Sequence, residues 1–479
     1  MDLLGMSAIL CFPIDDNYQL LFNRFICEYA EQDIRSVWVG LQSCGFDLLL
    51  ERVHPTDIDR VQSIHSPWNR KQDQALIEFG NMIGRTLNIS PMKISPNEIY
   101  LTESDLSSIL FSPLQAFSVE EIRSRYSFLK QLNLGIAELL PMTDFRAAGA
   151  YSKSIGSALS KGRNLIFYDV KETFLKHLLD STHQRNPEHA PPEIVVDPVE
   201  EIGNTNEDVC STLFCHALNQ LAEVQSCSLN VSIAAGGDPQ YPFNIKMAGD
   251  EVHGNSGSFR HFLSAVVDQL HGPTLNLLVP YRGTGPYTGR YFLKPGPTNY
   301  GEEKMLQFFG QLLGISMRAG IPLPLDLMPT FWMSLVNQPL LLWTQSKDID
   351  PVTFNYVSDL ESITQDKFEE FLEENNHPKF TLSSIGGGYV ELCPEGVSRS
   401  LCWDNLEEYV DLVKTCKLKE WESRDRITHI QAGLGSIVPV TYLIHTFTAQ
   451  DLELKLCGIP QININYLRQH TLYQVNDYE

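Results

Sequence analysis

The 479-residue sequence has no stretch of eighteen or more uninterrupted apolar residues, so no transmembrane helix is expected. Its greasiest segment, 305–343, is broken by Arg318, Asp326 and four prolines. The opening MDLLGMSAILCFPIDD lacks the basic start of a signal peptide. No Cys-x-x-Cys occurs among the ten cysteines, at 11, 27, 44, 210, 215, 227, 393, 402, 416 and 457, which removes support for zinc-ribbon and thioredoxin-type sites. Cysteine is also too sparse for a disulfide scaffold, so free, mostly buried thiols in a reducing compartment are expected, in the cytoplasm or nucleus. Positive charge is scarce: 36 Lys and Arg stand against 59 Asp and Glu, a formal net charge of −23, with no long basic run. Phosphate backbones and anionic lipid would repel such a chain, so neither nucleic acid nor a membrane surface is expected as a partner. There is no internal repeat.

What is present is ordinary globular material, 43% apolar and 20% charged, enough to bury cores in about three domains. Residues 1–115 read as mostly helical, with Leu20, Leu21, Phe25 and Ile26, and again Ala75, Leu76, Phe79, Met82 and Ile83, at helical spacing. Ser118-x-x-Glu121 is a capping box opening a second helical block, with Ile122, Tyr126, Leu129 and Leu132 on one face. The stretch 181–207, rich in proline and acidic residues, reads as a linker or extended surface arm. Beyond it the pattern turns to mixed α and β: LNVSIAA (229–235) and FNIKMAG (243–249) read as strands, 258–270 as an amphipathic helix, and LNLLVPY (275–281) as a buried extended segment. Residues 302–319, behind Asn299-x-x-Glu302, form the clearest helix. Its apolar residues cover more than one face, and Gly310 and Gly314 would let another element approach closely. Helices are expected to start at Asp404-x-x-Glu407, with Leu406, Tyr409, Val410 and Val413 inward, and at Thr448-x-x-Asp451, the latter ending at Gly458.

The residues alone place no catalytic centre. GTGPYTG (283–289) is followed by proline rather than a helix, so it reads as a loop and not a phosphate cradle. The segment Gly254–Gly257 lacks nucleophile-elbow spacing, and nearby His253 and His261 suit structural hydrogen bonds better than a triad or metal site. GGG (386–388) reads as a hairpin turn. DKFEEFLEE (366–374) puts Phe368, Phe371 and Leu372 on one helical face and carboxylates on the other. From composition a solvated face on a small packed helix is the simpler reading; an acidic-rimmed groove for a partner is the sharper one.

Five segments then occur in a telling order: FNIKMAGDEVHGNSGSFRHF (243–262), KMLQFFGQLLGISMRAGIPLPLDLMPTFWMSLVNQPL (304–340), WDNLEEYVDLV (403–413), GLGSIVP (433–439) and FTAQDLELKLCGIPQININYLRQHTLY (447–473). Together they resemble the N-lobe of HECT-type ubiquitin ligases, over roughly 205–479, in the variety that carries a long helical region upstream. The resemblance implies an α+β, predominantly α-helical fold. Its parts would be a helical region 1–115, a helical flank and linker 116–205, and an N-lobe large subdomain 206–344 continued by 401–468. A small subdomain, 345–400, would be inserted between, and 469–479 would be a hinge.

It further implies a ubiquitin-protein transferase that recruits a ubiquitin-charged E2 enzyme and serves a protein substrate, with partners E2, ubiquitin and that substrate, and with no cofactor and no metal. In the small subdomain it turns the face of Tyr356, Leu360, Phe368, Phe371 and Leu372 from simple packing into an expected E2-binding groove. Gly249, Gly257, Arg260 and Phe262 match the glycine-rich motif, whereas Gly254 and Ser256 depart from it. The sequence ends at Asn476–Glu479 without the Thr-Cys-Phe type motif of the family's C-lobe, and Cys457 matches a structural position. No catalytic residue is therefore assigned. The expectation is a chain inactive alone, with a non-catalytic scaffold or E2-sequestering module as the alternative.

Overall fold

A computed structural model describes residues 70–459 apart from 148–154, 184–190, 197–208, 223, 225, 232–240, 248–254, 284–285 and 340–342. Its helices are α1 (Arg70–Leu87), α2 (Glu103–Ser107), α3 (Val119–Leu139), α4 (Ile155–Lys161), α5 (Tyr168–Ser181), α6 (Leu213–Leu221), α7 (Asn255–His271), α8 (Tyr300–Ala319), α9 (Pro329–Leu335), α10 (Pro351–Ser362), α11 (Gln365–Glu374), α12 (Leu406–Glu422), α13 (Arg424–Gly435), α14 (Val440–Thr446) and α15 (Ala449–Cys457). Among the described residues six short strands accompany them: β1 (Glu193–Val196), β2 (Asn244–Met247), β3 (Leu278–Pro280), β4 (Tyr291–Leu293), β5 (Thr381–Ser383) and β6 (Tyr389–Glu391). The architecture is predominantly helical α+β, and among the described residues no helix is long and apolar enough to cross a membrane. The pattern at Leu20–Ile26, residues 248–254 of the glycine-rich motif, and 460–479 lie outside the described residues.

The chain divides into two units, Met1–Ser181 with Thr441–Asp451 and Ile459–Glu479, and Thr182–Val440 with Leu452–Gly458. In the first, Ser118 and Glu121 form the capping box that starts α3. Ile122, Tyr126, Leu129 and Leu132 are buried along one side of that helix. Arg125 reaches from it to Asp73 of α1 through two hydrogen bonds of 2.9 and 3.2 Å, both partners buried. A second buried pair joins Lys171 of α5 to Asp451, at 2.5 Å. Arg163 donates to the carbonyls of Ile444 and Phe447. The Tyr442 hydroxyl donates to Lys171 O. The upstream helices and residues 441–451 thus share one polar-stapled interior.

In the second unit the longest helix follows its sequence signals closely. Asn299 and Glu302 cap α8 reciprocally, and Gly320 ends it at φ 62°. Helix α13 lies against it at backbone contact. A Cβ on Gly310 would sit 2.0 Å from Ile430 O, and one on Gly433 would sit 1.8 Å from Gln307 O. Only the absence of side chains at these two positions permits the approach. Gly314 serves likewise beneath Ile437.

Three expectations need correction. The stretch expected to be a linker or surface arm contains β1, whose Ile-Val-Val run pairs in parallel with β2. The presumed strand at 229 begins as a 3₁₀ turn, Ser226–Leu229, its remainder from 232 lying outside the described residues. Helix α12 starts at Leu406 rather than Asp404, because Asn405 Oδ1 accepts from Cys402 N and closes a 3₁₀ turn first. By contrast, Thr448 and Asp451 cap α15 reciprocally, and Gly458 follows it at φ 79°.

Candidate functional site

Residues 343–422 build a small body on α12. Helix α10 is capped by Asp350, which accepts from Thr353 N, and α11 follows after two residues. The chain then turns through the antiparallel β5–β6 hairpin, where Gly387 and Gly388 take φ of 94° and 76°. One core gathers Val357 and Leu360 of α10, Phe368 and Leu372 of α11, Phe380 and Leu401 from the hairpin region, and Tyr409, Val410 and Val413 of α12. The inward face of α12 is therefore part of this body. Lys417 locks it further, donating to Ser383 O at 2.9 Å and to Glu420 Oε2 at 3.1 Å. Below, Trp343 stacks on Trp421 with ring centres 6.0 Å apart.

The five residues expected to line a groove separate into two groups. Leu360, Phe368 and Leu372 are buried, with 1%, 1% and 6% of their surface exposed. They hold the core and have no surface to offer a partner. Tyr356 and Phe371 are half-buried, their rings 6.0 Å apart. The Tyr356 hydroxyl lies 3.2 Å from that of Tyr409. Burial, followed by its neighbour Tyr409, pushes the Tyr356 phenol well above its ordinary range, so it stays a neutral hydrogen-bonding group. The spacing on α11 had not distinguished Phe371 from Phe368.

A residue missed at the sequence level completes the rim. Trp403, 38% exposed, packs edge-on to Phe368 at 5.4 Å. Phe371 stacks on the same Phe368 ring at 6.3 Å. Tyr356, Phe371 and Trp403 are thus partly exposed aromatics tied through one buried ring. A tryptophan two residues before Asn405, the N-cap position of α12, was the available signal. Partly exposed aromatics of this kind are the usual anchors of protein interfaces.

Two of the described thiols are poorly suited to nucleophilic chemistry. Burial pushes the Cys457 thiol up to about 12, and burial with Glu420 nearby raises that of Cys416. Either would be a poor nucleophile near neutrality. Cys393 accepts a long contact from Arg399, whose guanidinium also grips Glu408 at 2.7 and 2.6 Å and lies over the Phe380 ring. Hydrogen bonding from Arg399 holds the Glu408 carboxyl below its ordinary range. No cluster of potential metal ligands occurs among the described residues.

Residues 264–479 match the family model described as HECT-domain (ubiquitin-transferase). Through this part of its length the chain belongs to the HECT-domain family. It is 39% identical over 473 residues to the human probable E3 ubiquitin-protein ligase HECTD4, a match covering 95% of this chain and 12% of that protein. It is 25% identical over 380 residues to the human E3 ubiquitin-protein ligase HERC2, covering 76% of this chain and 7% of that one. The Drosophila melanogaster E3 ubiquitin-protein ligase Nedd-4 is 25% identical over 237 residues, covering 48% of this chain and 22% of its own. The chain therefore spans about an eighth or less of the first two relatives.

Proposed function

We propose that this chain acts in ubiquitin transfer as the E2-recruiting part of a HECT-type E3 ubiquitin ligase, in the cytoplasm or nucleus. The small body at 343–422 docks a ubiquitin-charged E2 enzyme. Tyr356, Phe371 and Trp403 make the contact, and Leu360, Phe368 and Leu372 form the floor that holds them. The aromatic rim over a closed core is the observation that carries this reading; the family match supports the class of reaction. Ubiquitin and a protein substrate are the remaining partners.

A second element of the reading is that no cysteine of these 479 residues takes the ubiquitin thioester: none stands in a Thr-Cys-Phe type motif, and the raised thiols of Cys457 and Cys416 suit these two poorly to the role. On its own the chain would then bind an E2 and hold it, behaving as a scaffold. Incubation with activating enzyme, E2 and ubiquitin, followed by non-reducing electrophoresis, tests both parts. The charged E2 should co-elute with the chain while no thiol-sensitive ubiquitin adduct forms on it. An adduct on any of its cysteines would refute the second element, and failure of every E2 to bind would refute the first.

A further inference from the structure

The outer edge of β1 is closed by a side chain. Asn244 N of β2 donates to Pro192 O at 2.8 Å, so by alternation along the strand the backbone groups of Ile194 face β2 and those of Glu193 and Val195 face away from it. Among the described residues no third strand pairs there. Instead Gln220, near the end of α6, accepts from Val195 N through Oε1 at 2.9 Å and donates from Nε2 to Val195 O at 3.0 Å. A side-chain carboxamide has the donor and acceptor of a peptide group. Here it makes both bonds by which one residue of an antiparallel strand would hold Val195.

The strap is light. Gln220 is exposed, and Val195 is 49% exposed. Fixing a long side chain costs rotamer entropy of the same order as two water-accessible hydrogen bonds return. The strand beneath is firm: Ile194 is fully buried, and the Ile-Val-Val run is strongly β-forming.

We infer that the outer edge of β1 takes an extended segment of a partner protein by strand addition, and that Gln220 holds the place of that segment until it docks. Main-chain hydrogen bonds supply the affinity of such pairing, and Val195 offers its side chain to a β-branched neighbour. The chain's charge of −23 favours a basic segment and disfavours a second copy of the chain.

The test is fluorescence anisotropy of the labelled peptide Lys-Val-Thr-Val-Thr-Val-Lys, blocked at both ends, titrated with the full chain as wild type and as Gln220→Ala. The control peptide is methylated on its five central backbone nitrogens, which keeps the side chains and removes the donors. Gln220→Ala should bind the parent peptide about threefold or more tightly than wild type, because the strap no longer competes for the edge. The methylated peptide should bind both proteins at least about tenfold more weakly than the parent. Equal binding of the two peptides, or no binding to either protein, overturns the inference. Parent-peptide binding that Gln220→Ala leaves unchanged or weakens overturns the role of the strap. Dimerisation of Gln220→Ala without peptide, seen by sedimentation velocity, would make a second copy the occupant and overturn the assignment of a basic partner. All of these outcomes are independent of E2 docking at 343–422.

Discussion

Lys171 Nζ lies 2.5 Å from Asp451 Oδ2, and the two side chains, 280 positions apart in sequence, are 1% and 6% exposed. Asp451 also accepts from Thr448 N and so caps α15. One carboxylate therefore caps the start of a helix and neutralises a buried ammonium of α5. Asp451→Ala should destabilise the chain by about 3–5 kcal/mol, because Lys171 is left buried without a counter-charge. The double variant Lys171→Met/Asp451→Ala should cost less than that single change. Denaturant unfolding of the three proteins gives the comparison; a double variant as unstable as the sum of the singles would show that the two groups do not interact.

Glu78 shares the surroundings of that pair. Burial chiefly, then repulsion from Asp451, raises its carboxyl above the ordinary value. A carboxyl raised in the folded state binds its proton more readily there than in the unfolded chain, so stability falls as pH rises from the unfolded value through the folded one. Glu78→Gln should therefore unfold later than wild type at neutral pH, and the difference should vanish below the ordinary carboxylate range. Thermal melts across that pH span check it.

The crossing of α8 and α13 predicts a sharp contrast among glycines. Gly433→Ala forces a Cβ into Gln307 O and should destabilise by about 3 kcal/mol despite the better helix former. Gly257→Ala, in α7, meets nothing within 4 Å and should be neutral or stabilising by up to about 1 kcal/mol. Equal effects at the two sites would contradict the close backbone approach.

Within the small body the two phenylalanines of α11 should behave differently. Phe368→Ala removes a fully buried ring and should cost about 3–5 kcal/mol of stability. Phe371→Ala, at the rim, should leave folding largely intact. Tyr356→Phe deletes the hydroxyl contact with Tyr409 and should cost about 1 kcal/mol. Unfolding curves of the three variants separate core from rim.

Much of this fold was readable where the signal is local. The Asn299–Glu302 box, the Thr448–Asp451 cap and the Gly458 stop are chemistry between residues a few positions apart, and the structure places all three as expected. Gly310 and Gly314 announced a close neighbour, but nothing near them could say that Gly433 would supply the other half. The same limit hid β1, whose partner β2 arrives about fifty residues later as a parallel strand. It also hid the division within the candidate site. Periodicity gave the apolar face of α11, yet which residues stay uncovered depends on Phe380, at the start of the hairpin, and on Trp403 and Tyr409 beyond it. The Lys171–Asp451 pair had no local trace at all.

The central claim is that a ubiquitin-charged E2 docks on the aromatic rim of residues 343–422. Its most direct measurement is the affinity of the full chain for such an E2 with and without the paired change Phe371→Ala/Trp403→Ala, alongside each protein's melting temperature. The account predicts at least about a tenfold loss of affinity from truncating two partly exposed anchors, with melting temperatures close together. Unchanged affinity in a folded double variant would contradict it.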